Sequence, residues 1–211
     1  RRVALLGLGA DVRAAVPAVR AALPSSLVAV EEGAAATGTD VPVVTLAEAA
    51  ADVEVFVRSP GFPRYLPVLQ EALARGARMT TPLDLWMGTY GPDRTVIGVT
   101  GTKGKSTVTD LVGSFARASG LRVGVAGNLG PPVFSHEWDR DAPVVVLEIS
   151  SYQAADLHHV PDVAVVTFLS EDHLSWHGGV ERYVADKLRV VRNEAGTAPR
   201  ILVPPAPAGG R

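Results

Sequence analysis

Gly101-Thr102-Lys103-Gly104-Lys105-Ser106-Thr107 stands between an apolar run, Thr95 to Val99, and an amphipathic segment from Lys105 to Ala118. At a strand-to-helix junction, small residues let successive backbone N–H groups turn inward around phosphate oxygens, and the helix start adds positive partial charge. Lys105 would then reach the terminal phosphates of ATP, and the Ser106 hydroxyl would hold Mg2+. The usual form of such a loop opens with a glycine where this chain has Val99, so the match is to a shortened variant. A glycine turn with a surface lysine is the plain alternative.

Glu148 interrupts Val144-Val145-Val146-Leu147-Glu148-Ile149, a run otherwise apolar enough for a strand buried on both faces. An unpaired carboxylate there is costly, so it must face a cation or a set of donors, and beside a phosphate loop the natural cation is Mg2+. A strand end open to water is the other option. Glu171-Asp172-His173 follows the apolar run Val163 to Leu169. His173 thus stands at another strand end, where a histidine can ligate metal, orient a phosphate or simply be solvated. Lys187 lies in the helical segment Tyr183-Val184-Ala185-Asp186-Lys187, where a lysine taken alone reads as surface charge.

Nearer the start, Gly7-Leu8-Gly9 follows the first apolar run, but Val12 occupies the place of the third glycine in the dinucleotide fingerprint. A nicotinamide cofactor is therefore poorly supported. Glu31 and Glu32 end the second apolar run, where an acidic side chain accepts hydrogen bonds from a nucleoside. Ser59-Pro60-Gly61 offers a hydroxyl and open amides to a phosphate, or is only a turn.

The elements that must position these groups alternate between short apolar runs and helix-length amphipathic segments, the pattern of a parallel sheet with crossover helices. The fold class is α/β, a Rossmann-like amino-terminal domain followed by a P-loop-type parallel sheet. Strands are expected at Val3–Leu8, Leu27–Val30, Val41–Thr45, Val53–Val57 and Arg78–Thr81, and helices at Val12–Leu23 and Tyr65–Arg75. The glycine- and proline-bearing stretch Gly88 to Asp93 marks a boundary between a domain of residues 1–90 and one of residues 91–211. Beyond it come strands at Thr95–Val99, Arg122–Val125, Val144–Ile149 and Val163–Phe168, with helices at Lys105–Ala118 and Val180–Arg192.

Composition narrows the class further. Charged residues make up 20% and hydrophobic ones 47%, ordinary globular usage. A formal net charge of −2 gives no broad positive field for nucleic acid or acidic lipid, so any anion is bound locally. No apolar run is long enough to span a membrane. With no cysteine, thiolate chemistry and disulfides are impossible, and a cytoplasmic setting fits. The chain opens without methionine and ends in the linker-like Pro204 to Arg211.

Together, Thr100 to Thr107, Gly127-Asn128-Leu129-Gly130, Leu147-Glu148-Ile149-Ser150-Ser151-Tyr152-Gln153, Asp172-His173-Leu174 and Tyr183 to Lys187 resemble the Mur ligases, specifically those adding glutamate to UDP-N-acetylmuramoyl-L-alanine. The resemblance runs from the first strand to about Asn193. It implies an ATP-dependent ligase that activates a carboxylate as an acyl phosphate, with Lys105 and Ser106 at the ATP phosphates and Mg2+, and with Glu148 and His173 at the metal and substrate. It places the substrate pyrophosphate against Asn128, Ser59 and Gly61, with Gly9, Glu31 and Gln153 also on the substrate side. In such enzymes the lysine matching Lys187 is carbamylated by CO2 into a carboxylate-like metal ligand. Asp11, Phe168 and Ser175 depart from the pattern of the D-glutamate enzymes, where a small hydroxyl residue, an asparagine and an aspartate are usual. Arg58 to Gly61 and Leu83-Asp84-Leu85-Trp86 lean instead toward an L-glutamate branch. A folylpolyglutamate-type ligase and a non-catalytic nucleotide-binding module are the rival readings. The resemblance further implies a monomer, and a ligase that is incomplete here because its closing carboxy-terminal domain is absent.

Overall fold

The computed structural model describes residues 1–22, 24–31, 40–192 and 198–204. Leu23, Glu32, Asn193 and the tail beyond Pro204 lie outside the described residues. Contacts divide the chain into two units, Arg1–Trp86 with Pro132–Ser135, and Met87–Pro131 with His136–Arg211.

The first unit runs β1 (Arg2–Leu6), α1 (Ala10–Ala21), β2 (Ser26–Val30), α2 (Leu46–Asp52), β3 (Val55–Arg58), α3 (Pro67–Ala74) and β4 (Arg78–Thr80), and α4 (Pro82–Tyr90) begins in it. Its strands pair in parallel in the order β2-β1-β3-β4. Ala4, Leu6, Phe56, Leu69 and Met79 form the core between sheet and helices. Fully burying side chains such as these leucines and the phenylalanine stabilises by roughly 1.5–3 kcal/mol each. The chain turns back on itself between β1 and β3, so the loops after those two strands open at the switch point of the sheet, the usual ligand crevice of such folds.

Val41–Thr45 is not a strand. Only an isolated bridge from Val43 to Ala29 forms there, because Thr45 instead begins α2 with a capping box: its hydroxyl accepts from the Glu48 amide while the Glu48 carboxylate accepts from the Thr45 amide.

The second unit contains β5 (Thr95–Thr100), α5 (Lys105–Ala118), β6 (Val123–Gly127), β7 (Val144–Glu148), α6 (Ser151–Ala154), β8 (Val163–Val166), α7 (Leu174–His177), α8 (Val180–Lys187) and β9 (Arg200–Leu202). All strand pairs are parallel, in the order β6-β7-β5-β8-β9. Val99, Val123 and Val146 are buried under Val108, Val112 and Ala116 of α5. The expected helix Val180–Arg192 stops at Lys187 and continues as a 3-10 turn, Leu188–Val191. Because β5, β7 and β8 are adjacent and parallel, their carboxyl ends share one edge of the sheet, which collects the loops after Thr100, Glu148 and Val166. Among the described residues, no helix is long and apolar enough to cross a membrane.

Candidate nucleotide and metal site

The loop after β5 is held open by its own backbone geometry. Gly101 has φ of 148°, and a Cβ there would fall 1.9 Å from the Thr167 hydroxyl, so only glycine fits. That hydroxyl donates to the Lys103 carbonyl at 2.6 Å. Gly104, left-handed at φ 85°, is the N-cap of α5, and no side chain caps the helix start. The first amides of α5 are therefore left without a capping side chain at the mouth of the loop, as an anion site requires. Lys105 is half-buried, with Nζ 3.3 Å from the Thr102 carbonyl. Ser106 and Thr107 follow in the first turn of α5.

Glu148 ends β7 and is 1% exposed. One carboxylate oxygen accepts from the Asn128 side-chain amide at 2.8 Å, while Oε2 is buried with no hydrogen-bond partner. The Asn128 backbone amide also donates to the Glu148 carbonyl at 2.8 Å. This closeness explains Gly127, whose Cβ would lie 2.3 Å from that carbonyl oxygen. An orphaned carboxylate oxygen at the carboxyl end of a buried strand is where a hard cation fits. No cluster of three or more His, Cys, Asp or Glu side chains occurs among the described residues, so the carboxylate alone would not complete a coordination shell.

Lys187 is at the end of α8, only 2% exposed, and Nζ donates to the Gly101 carbonyl at 2.8 Å. Burial, helped by the Lys105 ammonium and opposed by Asp172, lowers its pKa to about 8. A second strap joins the same two segments. The Thr102 hydroxyl gives its proton to the Ser170 carbonyl at 2.9 Å, so Tyr183 OH, 2.6 Å away, must be the donor to Thr102 Oγ1.

His173 stands before α7 at φ 50°, the single non-glycine residue at positive φ among the described residues. Such a conformation costs about 1–3 kcal/mol and is kept where the neighbourhood over-determines it. Its ring lies 4.8 Å from that of Tyr152, and Nε2 lies 3.5 Å from Asp172 Oδ2. Gly101, Lys105, Asn128, His173 and Lys187 line one cleft. Gln153 is instead buried, its carbonyl oxygen accepting from both the amide and the hydroxyl of Ser150 at 3.0 Å as the capping box of α6.

In the first unit, the Leu8 amide donates to Glu31 at 2.5 Å and the Leu8 carbonyl accepts from Arg13 at 2.6 Å, which clamps the turn after β1. Gly9 abuts Ser59: a Cβ at Gly9 would lie 2.8 Å from the Ser59 hydroxyl, whereas Gly61 faces open space. The loop from Ser59 is curled around the fully buried Arg58, which donates to the carbonyls of Ser59, Pro60 and Phe62. Burial raises the pKa of Asp11, in the first turn of α1.

Sequence reasoning gave no individual role to Tyr183, Ser151, His177 or Asp186. Only the placement of Tyr183 one helical turn before Lys187 was a usable signal, since i and i+4 share a helix face.

A family model, the Mur ligase middle domain, matches residues 99–203. Over 202 residues the chain is 41% identical to the UDP-N-acetylmuramoyl-L-alanine--L-glutamate ligase of a Micromonospora strain, covering 90% of this chain and 44% of that protein. It is 39% identical over 151 residues to the UDP-N-acetylmuramoylalanine--D-glutamate ligase of Desulfatibacillum aliphaticivorans, covering 71% of this chain and 33% of that one. The chain thus spans less than half the length of these curated relatives. Among solved structures, the UDP-N-acetylmuramate:L-alanyl-gamma-D-glutamyl-meso-diaminopimelate ligase of Neisseria meningitides shares the fold, with a TM-score of 0.55 at 15% identity over 99% of this chain and 72% of that one.

Proposed function

This chain belongs to the Mur ligase family, and from that premise we propose that it serves ATP-dependent amide formation between UDP-N-acetylmuramoyl-L-alanine and glutamate. The observation that carries the reading is that a glycine loop and a buried carboxylate with an orphaned oxygen stand at adjoining strand ends, with a buried lysine from α8 hydrogen-bonded to the loop. In the proposed reaction the alanine carboxylate takes the terminal phosphoryl group of ATP, and the amino group of glutamate then displaces phosphate from the acyl phosphate. No protein nucleophile is needed, so positioning and electrostatics do the work. The loop amides and Lys105 hold and neutralise the phosphates. Ser106, Glu148, His173 and Lys187 are the groups that would hold Mg2+, which when bound adds positive charge against the phosphate oxygens.

An ammonium cannot ligate metal, but a pKa near 8 leaves about a tenth of Lys187 as free amine at pH 7, far more than an ordinary lysine offers. The neutral nitrogen can add to CO2, forming an N–C bond with loss of a proton and giving a carbamate oxygen donor. In the first unit, Gly9, Ser59 and Gly61 lie on the switch-point loops and Glu31, after β2, is hydrogen-bonded to the first of them; these four are proposed to take the nucleoside and pyrophosphate of the substrate. Asn128 and Gln153 are proposed substrate-side contacts, though their amides are engaged with Glu148 and Ser150 here. L-glutamate is the proposed amino acid, because the likeness to an L-glutamate enzyme extends over 90% of this chain against 71% for a D-glutamate one. Calorimetry with ATP and with UDP-N-acetylmuramoyl-L-alanine tests the reading: saturable binding of both supports it, and binding of neither removes it.

A further inference from the structure

Three buried polar side chains form a line that the proposed chemistry does not use. His177 is 0% exposed, Ser151 3% and Asp186 5%. His177 Nδ1 lies 2.7 Å from Asp186 Oδ2, and Nε2 lies 3.1 Å from Ser151 Oγ. An ionised carboxylate can only accept, so the imidazole donates from Nδ1–H to Asp186 and accepts a hydrogen bond at Nε2 from the Ser151 hydroxyl. Burial lowers the histidine pKa and so favours the neutral ring this arrangement needs. Trp176 and Tyr183 pack edge-on against the ring at 4.5 and 5.3 Å, which leaves it little room to turn.

The two ends of the line matter for the site. Ser151 opens α6, three residues after Glu148 at the strand end, and lines the cleft. Asp186 immediately precedes Lys187 on α8. Neighbouring helical residues point about 100° apart, so Asp186 reaching His177 and Lys187 reaching the Gly101 carbonyl fix the rotation of α8 from two directions. We propose that His177, as the neutral Nδ1–H tautomer bridging Asp186 and Ser151, is a positioning residue that locks α8 in the rotation placing Lys187 against the phosphate loop. A single tether would leave α8 free to roll about the Tyr183–Thr102 strap.

The chain has three lysines, Lys103, Lys105 and Lys187, so the two loop lysines are internal references. The test is limited acetylation of the native 211-residue chain in CO2-free buffer, read lysine by lysine by mass spectrometry. His177→Ala should raise Lys187 modification by about tenfold or more through local opening, with Lys103 and Lys105 unchanged. His177→Asn, whose amide can still donate to Asp186, should restore most of the protection. A general loosening of the fold would raise modification in both variants alike and overturn the proposal, as would a folded His177→Ala chain with Lys187 still protected. If the alanine variant does not fold, the imidazole nitrogen shifts of the unmodified chain decide: a neutral Nδ1–H tautomer is expected, and an Nε2–H tautomer overturns the proposal. No turnover is read, so failure here leaves the ligase reading to stand or fall on the calorimetry.

Discussion

Among the described residues, the Lys105 ammonium makes a single long hydrogen bond, to the Thr102 carbonyl, so little of the fold depends on it. Lys105→Ala is therefore expected to leave unfolding within about 0.5 kcal/mol of the parent while abolishing ATP affinity in calorimetry, and near-normal affinity would remove the phosphate-loop assignment. Glu148 differs, since its orphaned oxygen makes the metal-free state uncomfortable. Glu148→Gln keeps the size and removes the buried charge, so in metal-free buffer it should be at least as stable as the parent, and it should lose any stabilisation that Mg2+ confers on the parent. A loss beyond about 2 kcal/mol in the absence of metal would mean that the carboxylate is satisfied in some other way. The loop and Glu148 were legible because each breaks a local pattern: glycines at a strand-to-helix junction, a charge inside an apolar run. His177 and Asp186 were not. They are ordinary residues nine positions apart whose pairing depends on the turn through Gly178 and Gly179, both at positive φ, and nothing in spacing alone announces it.

Among the elements, α5 falls where its amphipathic period puts it, Lys105–Ala118, because the glycine loop sets its start and the packed stripe of Val108, Val112 and Ala116 its face. The helices α2 and α4 went unseen for opposite reasons. The first is short and alanine-rich with almost no amphipathic contrast. The second buries Leu83, Trp86 and Met87 in a run whose apolar density hides any face, and its opening Pro82 reads as a breaker although proline is tolerated at a helix start. The capping box that converts Val41–Thr45 from an expected strand into the approach to α2 gives a direct measurement. Thr45→Ala should cost about 1 kcal/mol by chemical denaturation, and Thr45→Ser should cost much less, because serine keeps the capping oxygen. Equal losses in the two variants would show that the methyl group, not the cap, holds α2.

Across the whole molecule, the buried bases give stability a calculable dependence on pH. The pKa of Lys187 is about 8 in the folded chain against an ordinary 10.5, so between those values the unfolded chain binds more protons than the folded one. Stability must then rise with pH across that window, by roughly 3 kcal/mol in all, and below pH 8 the full penalty of protonating a buried lysine or displacing it remains. His177 acts in the same direction at lower pH. Burial holds its pKa below the ordinary 6.5, so the unfolded chain takes up a proton first as acid is added, and stability falls as pH drops through and beneath that value. Asp11 opposes them in the acid range: burial raises its carboxyl pKa above 3.8, so the folded chain holds that proton longer. Comparing each variant with the parent isolates one group at a time, since the other contributions cancel. In CO2-free buffer, Lys187→Met should flatten the climb between about pH 8 and 10.5 and leave the acid limb alone, while His177→Asn should flatten the acid limb and leave the alkaline climb. An alkaline slope that survives in Lys187→Met would mean that Lys187 is not buried as an amine against the Gly101 carbonyl, and the case for its carbamylation would go with it.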